Sequence, residues 1–86
     1  MKFPKYLKGE EARFPSGARR GEYQVLIQIV VTEDGLPSRA HVVVPAGGGF
    51  DENALEAVST YRFSPATMEG NPVPALITVE VGFRSW

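Results

Sequence analysis

Few residues of this 86-residue sequence could take part in catalysis, and they are scattered along the chain. Acid–base catalysis needs two titratable groups that converge on one substrate. The carboxylate pairs Glu10–Glu11, Glu33–Asp34 and Asp51–Glu52 are neighbours in sequence, and a turn or a helix start explains each of them. Nucleophilic catalysis needs a base beside the nucleophile, but the only histidine, His41, lies mid-strand on a predicted outer face. We therefore predict no catalytic residue and no enzymatic activity.

A glycine-rich segment, AGGGF, precedes the predicted helix and raises the question of an anion site. Backbone N–H groups at a helix N-terminus bind phosphates when the loop is followed by Lys and Ser or Thr, as in a P-loop. Here no such residues follow, and Asp51 places a negative charge at the same point. We interpret the segment as a flexible connector. With no cysteine and one histidine, the sequence also predicts no disulfide, no metal site and no cofactor.

Composition predicts one soluble-type globular domain. The length allows a single domain, and 43% hydrophobic with 22% charged residues is ordinary for a globular protein. A net charge of -1 argues against nucleic acid as a partner, since its binders usually present a basic face. The longest apolar run, residues 23–31, is far shorter than the roughly 20 residues of a membrane helix. The first residues lack the apolar core of a signal peptide, so we expect any targeting segment to lie outside this sequence.

Two strands joined by a hairpin follow an N-terminal arm. Residues 1–20 mix charge with Pro and Gly, which predicts an irregular arm, with residues 21–86 as the folded domain. EYQVLIQIVVT alternates with period two and predicts a strand with one buried face. Asp34-Gly35 is a strong hairpin signal, and SRAHVVVP predicts the second strand. There we expect Ala40, Val42 and Val44 inward and Arg39, His41 and Val43 outward.

A helix and a third strand complete the predicted fold. FDENALEAVSTYRF has helical periodicity, with Asp51 as expected N-cap and Pro65 forcing the end. ALITVEVGFRSW alternates again, with Ile77, Val79, Val81 and Phe83 on one face. The sequence therefore predicts a small two-layer α+β domain, β-β-α-β. Its three-stranded antiparallel sheet has the order 2-1-3, with one main helix on one face.

The third strand is then an exposed edge, which leaves two interpretations. Natural proteins blunt such edges with charges, and Glu80 and Arg84 could do so here. Alternatively, an extended peptide could add to the edge as a fourth strand. Sequence alone leaves both open.

The connector YRFSPATMEGNPVP carries a family resemblance. An aromatic-x-Phe, a Pro-Ala and a Gly-x-Pro-Val before the last strand resemble the signature of the TonB C-terminal domain family. Upstream, FDENALEAV is similar to the family's Leu-Asp-x-x-Ala-Leu-x-Ala-Val, and the resemblance covers about residues 14–84. The residues that we predict to form the structural signature are Asp51, Leu55, Phe63, Pro65, Ala66, Gly70, Pro72 and Val73.

This resemblance implies an energy-transducing module of the periplasm. Such proteins couple an inner-membrane motor, through an anchored N-terminal part, to outer-membrane transporters of siderophores or other scarce nutrients. Their C-terminal domain grips a transporter "box" peptide as an added strand, and residues just before Phe14 are candidates for the same contact. The peptide-binding residues expected here are Thr78, Val79, Glu80, Val81, Gly82, Phe83 and Arg84. The alternative is a strand-exchanged homodimer or a TolA-like envelope-assembly domain.

Overall fold

One α-helix and seven β-strands make up the computed structural model, which describes residues 1–86. The helix has ten residues, and no helix is long and apolar enough to cross a membrane. The elements are β1 (Lys5–Lys8), β2 (Gly21–Val31), β3 (Pro37–Val44), α1 (Phe50–Ser59), β4 (Arg62–Ser64), β5 (Ala66–Met68), β6 (Asn71–Val73) and β7 (Ala75–Ser85).

The main sheet has the order β3-β2-β7 and is antiparallel throughout. This confirms the predicted α+β class and the 2-1-3 strand order, in which the first long strand is central. β2 and β7 pair without interruption from Gly21↔Ser85 to Val31↔Ala75. The period-two pattern of both strands fixes this register, because a slip by one residue would turn the apolar face to solvent.

A core between the sheet and α1 buries the predicted apolar face. Alternate residues of β2 are completely buried, and Phe83 at the far end of β7 is 4% exposed. α1 contributes Phe50, whose ring packs edge-on against Phe83 at 5.1 Å between centroids. Burial of such side chains is worth about 1.5–3 kcal/mol each, so this cluster is the main source of stability. Its members are Val25, Ile27, Ile29, Val31, Phe50, Ala54, Val58, Phe63, Val81 and Phe83.

The facing of β3 was predicted only in part. His41 is exposed as expected and Val42 is half-buried, but Ala40 and Val44, predicted inward, are exposed. Two register shifts interrupt the β2–β3 pairing, and Val44 lies opposite Leu26 on the outer face. Arg39, at φ 52, lies in one of these irregular stretches. Each bulge inserts a residue and reverses the side-chain alternation beyond it, which the apolar pattern does not reveal.

α1 ends at Ser59, so the prediction that Pro65 terminates it was wrong. The N–H groups of Thr60 and Tyr61 donate to the carbonyls of Ala57 and Val58, both at 3.0 Å. These i→i+3 bonds tighten and close the last turn. The chain then becomes extended, because Arg62–Ser64 pairs with β1.

The N-cap is Gly49 rather than Asp51. Gly49 has φ 85, a left-handed conformation that suits glycine. The Asp51 carboxylate instead accepts hydrogen bonds from the backbone N–H groups of Ala46 (2.9 Å) and Gly47 (3.3 Å). It thereby orders the glycine segment that we predicted to be flexible.

The arm and the connector form strands with each other. The predicted irregular arm contains β1, which pairs with β4, and the Tyr6 ring packs edge-on against Tyr61 at 5.0 Å. The connector contains a hairpin of β5 and β6. Its reversal lies at Glu69 and Gly70, with φ 51 and 82, the pattern of a type I′ turn.

Candidate peptide-binding edge

One edge of β7 is free along its full length. β7 pairs with β2 only, and no other backbone hydrogen bond reaches it. Because successive residues of a strand direct their N–H and C=O groups to opposite sides, about half of the β7 backbone groups face outward at this edge. The eleven-residue strand therefore presents a ready template for another extended chain.

Inward side chains hold β7 firmly in place. Val81 and Phe83 are 3% and 4% exposed, and Ile77 and Val79 are half-buried against the same core. Displacing the strand would expose this apolar surface as well as break its pairing with β2. The edge is therefore a rigid one.

Outward side chains of β7 are tied to β2. Gln24 Nε2 donates to Glu80 Oε1 at 2.6 Å, and Arg84 Nε lies 3.1 Å from Glu22 Oε1. Exposed pairs of this kind contribute little to stability, typically below about 1 kcal/mol. Their effect is on position, because both side chains lean across the outer face of the sheet toward β2.

A groove of about 830 Å³ runs beside the second half of β7. Its β7 wall is Glu80 to Arg84, which are five of the seven predicted peptide-binding residues; Thr78 and Val79 lie outside it. β2 supplies Glu22 to Gln24, the arm supplies Glu11, Ala12 and Phe14, and Tyr61 also lines the groove. The volume falls within the range of ordinary ligand sites. The structure thus brings part of the predicted edge together with residues next to Phe14, which the family resemblance made candidates for the same contact.

The arm wall is fixed to α1. Asn53 Nδ2 donates to the Arg13 carbonyl at 2.7 Å, and Phe14 packs edge-on against Phe50 at 5.3 Å. These contacts join residues about forty positions apart, so local sequence patterns do not predict where the arm lies. Two further contacts between arm and helix are Glu10 N–H to Thr60 Oγ1 (2.8 Å) and Arg13 Nη2 to Glu56 Oε1 (3.5 Å).

Tyr61 also lines the groove, although its place in the aromatic-x-Phe pattern did not predict such a position. Burial raises the pKa of its phenol above the usual 10.0, and the neighbouring Tyr6 adds to this shift. The Tyr61 side chain is therefore neutral at physiological pH. Its position at the end of α1 in an aromatic-x-Phe pattern was a signal for packing rather than for a groove wall.

The predicted signature residues lie away from the free edge and support the fold. Phe63 is 6% exposed and donates its N–H to the Gly35 carbonyl at 2.9 Å, which ties β4 to the β2–β3 hairpin. Ala66 is completely buried. Asp51 orders the loop before α1, as described above. Of the others, Leu55, Pro65 and Val73 are half-buried, and Gly70 and Pro72 are exposed.

The chemistry available at this edge is hydrogen bonding and packing. No group of three His, Cys, Asp or Glu side chains is placed to hold a metal ion, and no buried side-chain polar atom is unpaired. What the groove offers is free backbone along β7, aromatic surface and exposed carboxylates. These features suit an extended peptide.

Comparison with known proteins places the whole domain in one family. Residues 10–85 match the family described as Gram-negative bacterial TonB protein C-terminal. A search of curated proteins found no match. The family comprises non-catalytic energy-transduction domains of the Gram-negative periplasm that interact with outer-membrane transporters. The match covers nearly the full length, and the chain belongs to the TonB C-terminal family.

Proposed function

We propose that this domain grips the box peptide of an outer-membrane TonB-dependent transporter by strand addition to β7. The observation that carries the proposal is the free, rigid edge of this eleven-residue strand. Backbone groups from Thr78 to Arg84 would pair with the peptide, and strand addition of this kind draws affinity from main-chain hydrogen bonds.

The energetics suit a grip that holds under load and then releases. Each added hydrogen bond contributes only about 0.5–1.5 kcal/mol net, so a short peptide binds modestly. A load along the strand direction is shared by all of these bonds at once. β7 itself pairs with β2 over eleven residues and is anchored by Val81 and Phe83. The peptide therefore leaves before β7 does.

The arm would contact the other side of the bound peptide. Glu11, Ala12 and Phe14 line the same groove as the β7 residues Glu80 to Arg84. A peptide seated there would lose solvent on both sides, which strengthens its hydrogen bonds. We further propose that the domain works in the periplasm and that parts of a longer protein link it to an inner-membrane motor.

An NMR titration with synthetic box peptides tests the proposal. We expect the largest amide shift changes along Thr78 to Arg84 and smaller ones at Glu11 to Phe14. Peptides N-methylated at alternate residues provide the matched control, because only one of the two parities faces β7. N-methylation of the residues whose N–H groups face β7 should abolish binding. N-methylation of the alternate residues should leave binding nearly intact. Shifts that scatter away from β7, or none at millimolar peptide, would refute strand addition.

Self-pairing through the same edge is the second candidate. In an antiparallel pair of β7 strands centred on Gly82, Glu80 would lie opposite Arg84 of the second copy, which is electrostatically favourable. Such a homodimer, or a TolA-like assembly role, would occupy the edge that the peptide needs. Sedimentation equilibrium decides this, since a monomer at all concentrations excludes the dimer.

A further inference from the structure

Gly82 has no structural reason to be glycine. It lies within the uninterrupted β2–β7 register, opposite Gln24, and is not among the residues with positive φ. A Cβ atom at this position would meet no other atom within 4 Å. A glycine inside a strand weakens it and often marks a close approach of a ligand. The fold itself would accept a larger residue here.

The outer face above Gly82 is left uncovered by its neighbours. Gln24, its cross-strand partner, directs its amide to Glu80 instead. Arg84, on the other side, is drawn to Glu22. The result is a notch in the outward row of side chains, on the free edge and within the groove.

We propose that the bound peptide carries a large aromatic residue at the position directly opposite Gly82. This inference rests on the proposed strand addition and adds a specificity to it. Directly opposite residues on two strands have Cβ atoms about 4.5–5.5 Å apart, so a side chain there reaches across the glycine. An aromatic ring is large and flat enough to cover the exposed backbone, and such rings are known to compensate for edge glycines.

Selection from a random peptide display library tests this inference. Peptides of about nine residues span β7 from Thr78 to Arg84. The baits are the parent domain, Gly82→Val and the control Leu76→Val, which places valine on the same face of β7 before the segment that pairs with the peptide. We expect ligands of the parent to share an aromatic residue at one position. NMR should show contacts between its ring and the Gly82 α-protons.

The affinities of the selected peptides for the three bait domains distinguish the possible outcomes of this experiment. Gly82→Val should weaken aromatic-containing ligands by about three- to tenfold, and Leu76→Val should leave their affinity unchanged. Valine favours strands, so thermal unfolding should show no loss of stability, and Gly82→Ala serves as a milder second variant. Ligands that contact β7 without aromatic enrichment, and bind Gly82→Val equally, would overturn this inference but not strand addition. A folded parent that selects no ligand would overturn this inference, and strand addition fails with it if millimolar box peptide also shifts no β7 amide.

Discussion

At the scale of single residues, Gly35 is the position where the fold depends most on glycine. It is buried in the β2–β3 hairpin at φ 81, and a Cβ atom there would overlap the carbonyl oxygen of Phe63. We expect Gly35→Ala to lower the free energy of unfolding by about 3 kcal/mol or more, through strain and displacement of β4. Gly17→Ala is the matched control, with φ 78 and open space, and should cost only about 1 kcal/mol. Urea unfolding measures both, and equal losses would contradict the clash.

The raised pKa of Tyr61 predicts how the stability of the fold changes at alkaline pH. Its pKa is raised above 10.0 in the folded state, first by burial and then by Tyr6. The unfolded chain therefore loses this proton at lower pH than the folded chain does, so stability is complete below about pH 10 and falls as pH rises further. Tyr61→Phe should remove this part of the alkaline loss. Tyr6→Phe should lower the Tyr61 pKa only partly, since burial is the larger cause. Tyrosinate absorbance with unfolding curves checks both, and an unchanged alkaline slope in Tyr61→Phe would contradict the prediction.

At the scale of elements, the long strands could be predicted and the local interruptions could not. The apolar alternation of β2 and β7 defines the buried face and, with it, the free edge that makes the candidate site. The bulges in β3 depend on local twist and on Arg39 at positive φ, which leave no apolar signature. The end of α1 was misplaced because β4 is stabilised by pairing with β1, more than fifty residues away in sequence. The arm wall of the groove was suggested only by resemblance, for the same reason.

The β5–β6 hairpin offers a prediction of increased stability. Glu69 is held at φ 51 in a type I′ turn, a conformation that glutamate tolerates poorly and asparagine well. Glu69→Asn would create an Asn-Gly turn, and we expect it to raise the free energy of unfolding by about 0.5–1 kcal/mol. Glu69→Gln removes the same charge without the conformational preference and should leave stability unchanged. A gain of equal size in Glu69→Gln would show that charge, not turn geometry, was responsible.

At the scale of the whole molecule, the domain is elongated. Its axes measure 48 × 21 × 16 Å, and the radius of gyration of 13.9 Å exceeds the roughly 12 Å of a compact chain of this length. β1 joins only the short β4, and all four of its residues are exposed. The main sheet is instead held by eleven residue pairs and a buried core. Under a load applied to the two chain ends, β1 is therefore held weakly and the main sheet is held strongly.

Pulling on the two chain ends should therefore separate these parts. We expect a first low-force event in which β1 leaves β4, releasing at most about 30 Å for residues 1–9, followed by unfolding of the main sheet at higher force. Tyr6→Ala should lower the force of the first event, because its ring packs on Tyr61 and Phe63. Leu7→Ala, in the same strand with a side chain that is 63% exposed, should not. Optical tweezers measure both forces. A single unfolding event without the early extension would contradict this expectation, because β1 and β7 would then unfold as one cooperative unit. A force on the arm would in that case act on the peptide-binding edge without first detaching β1.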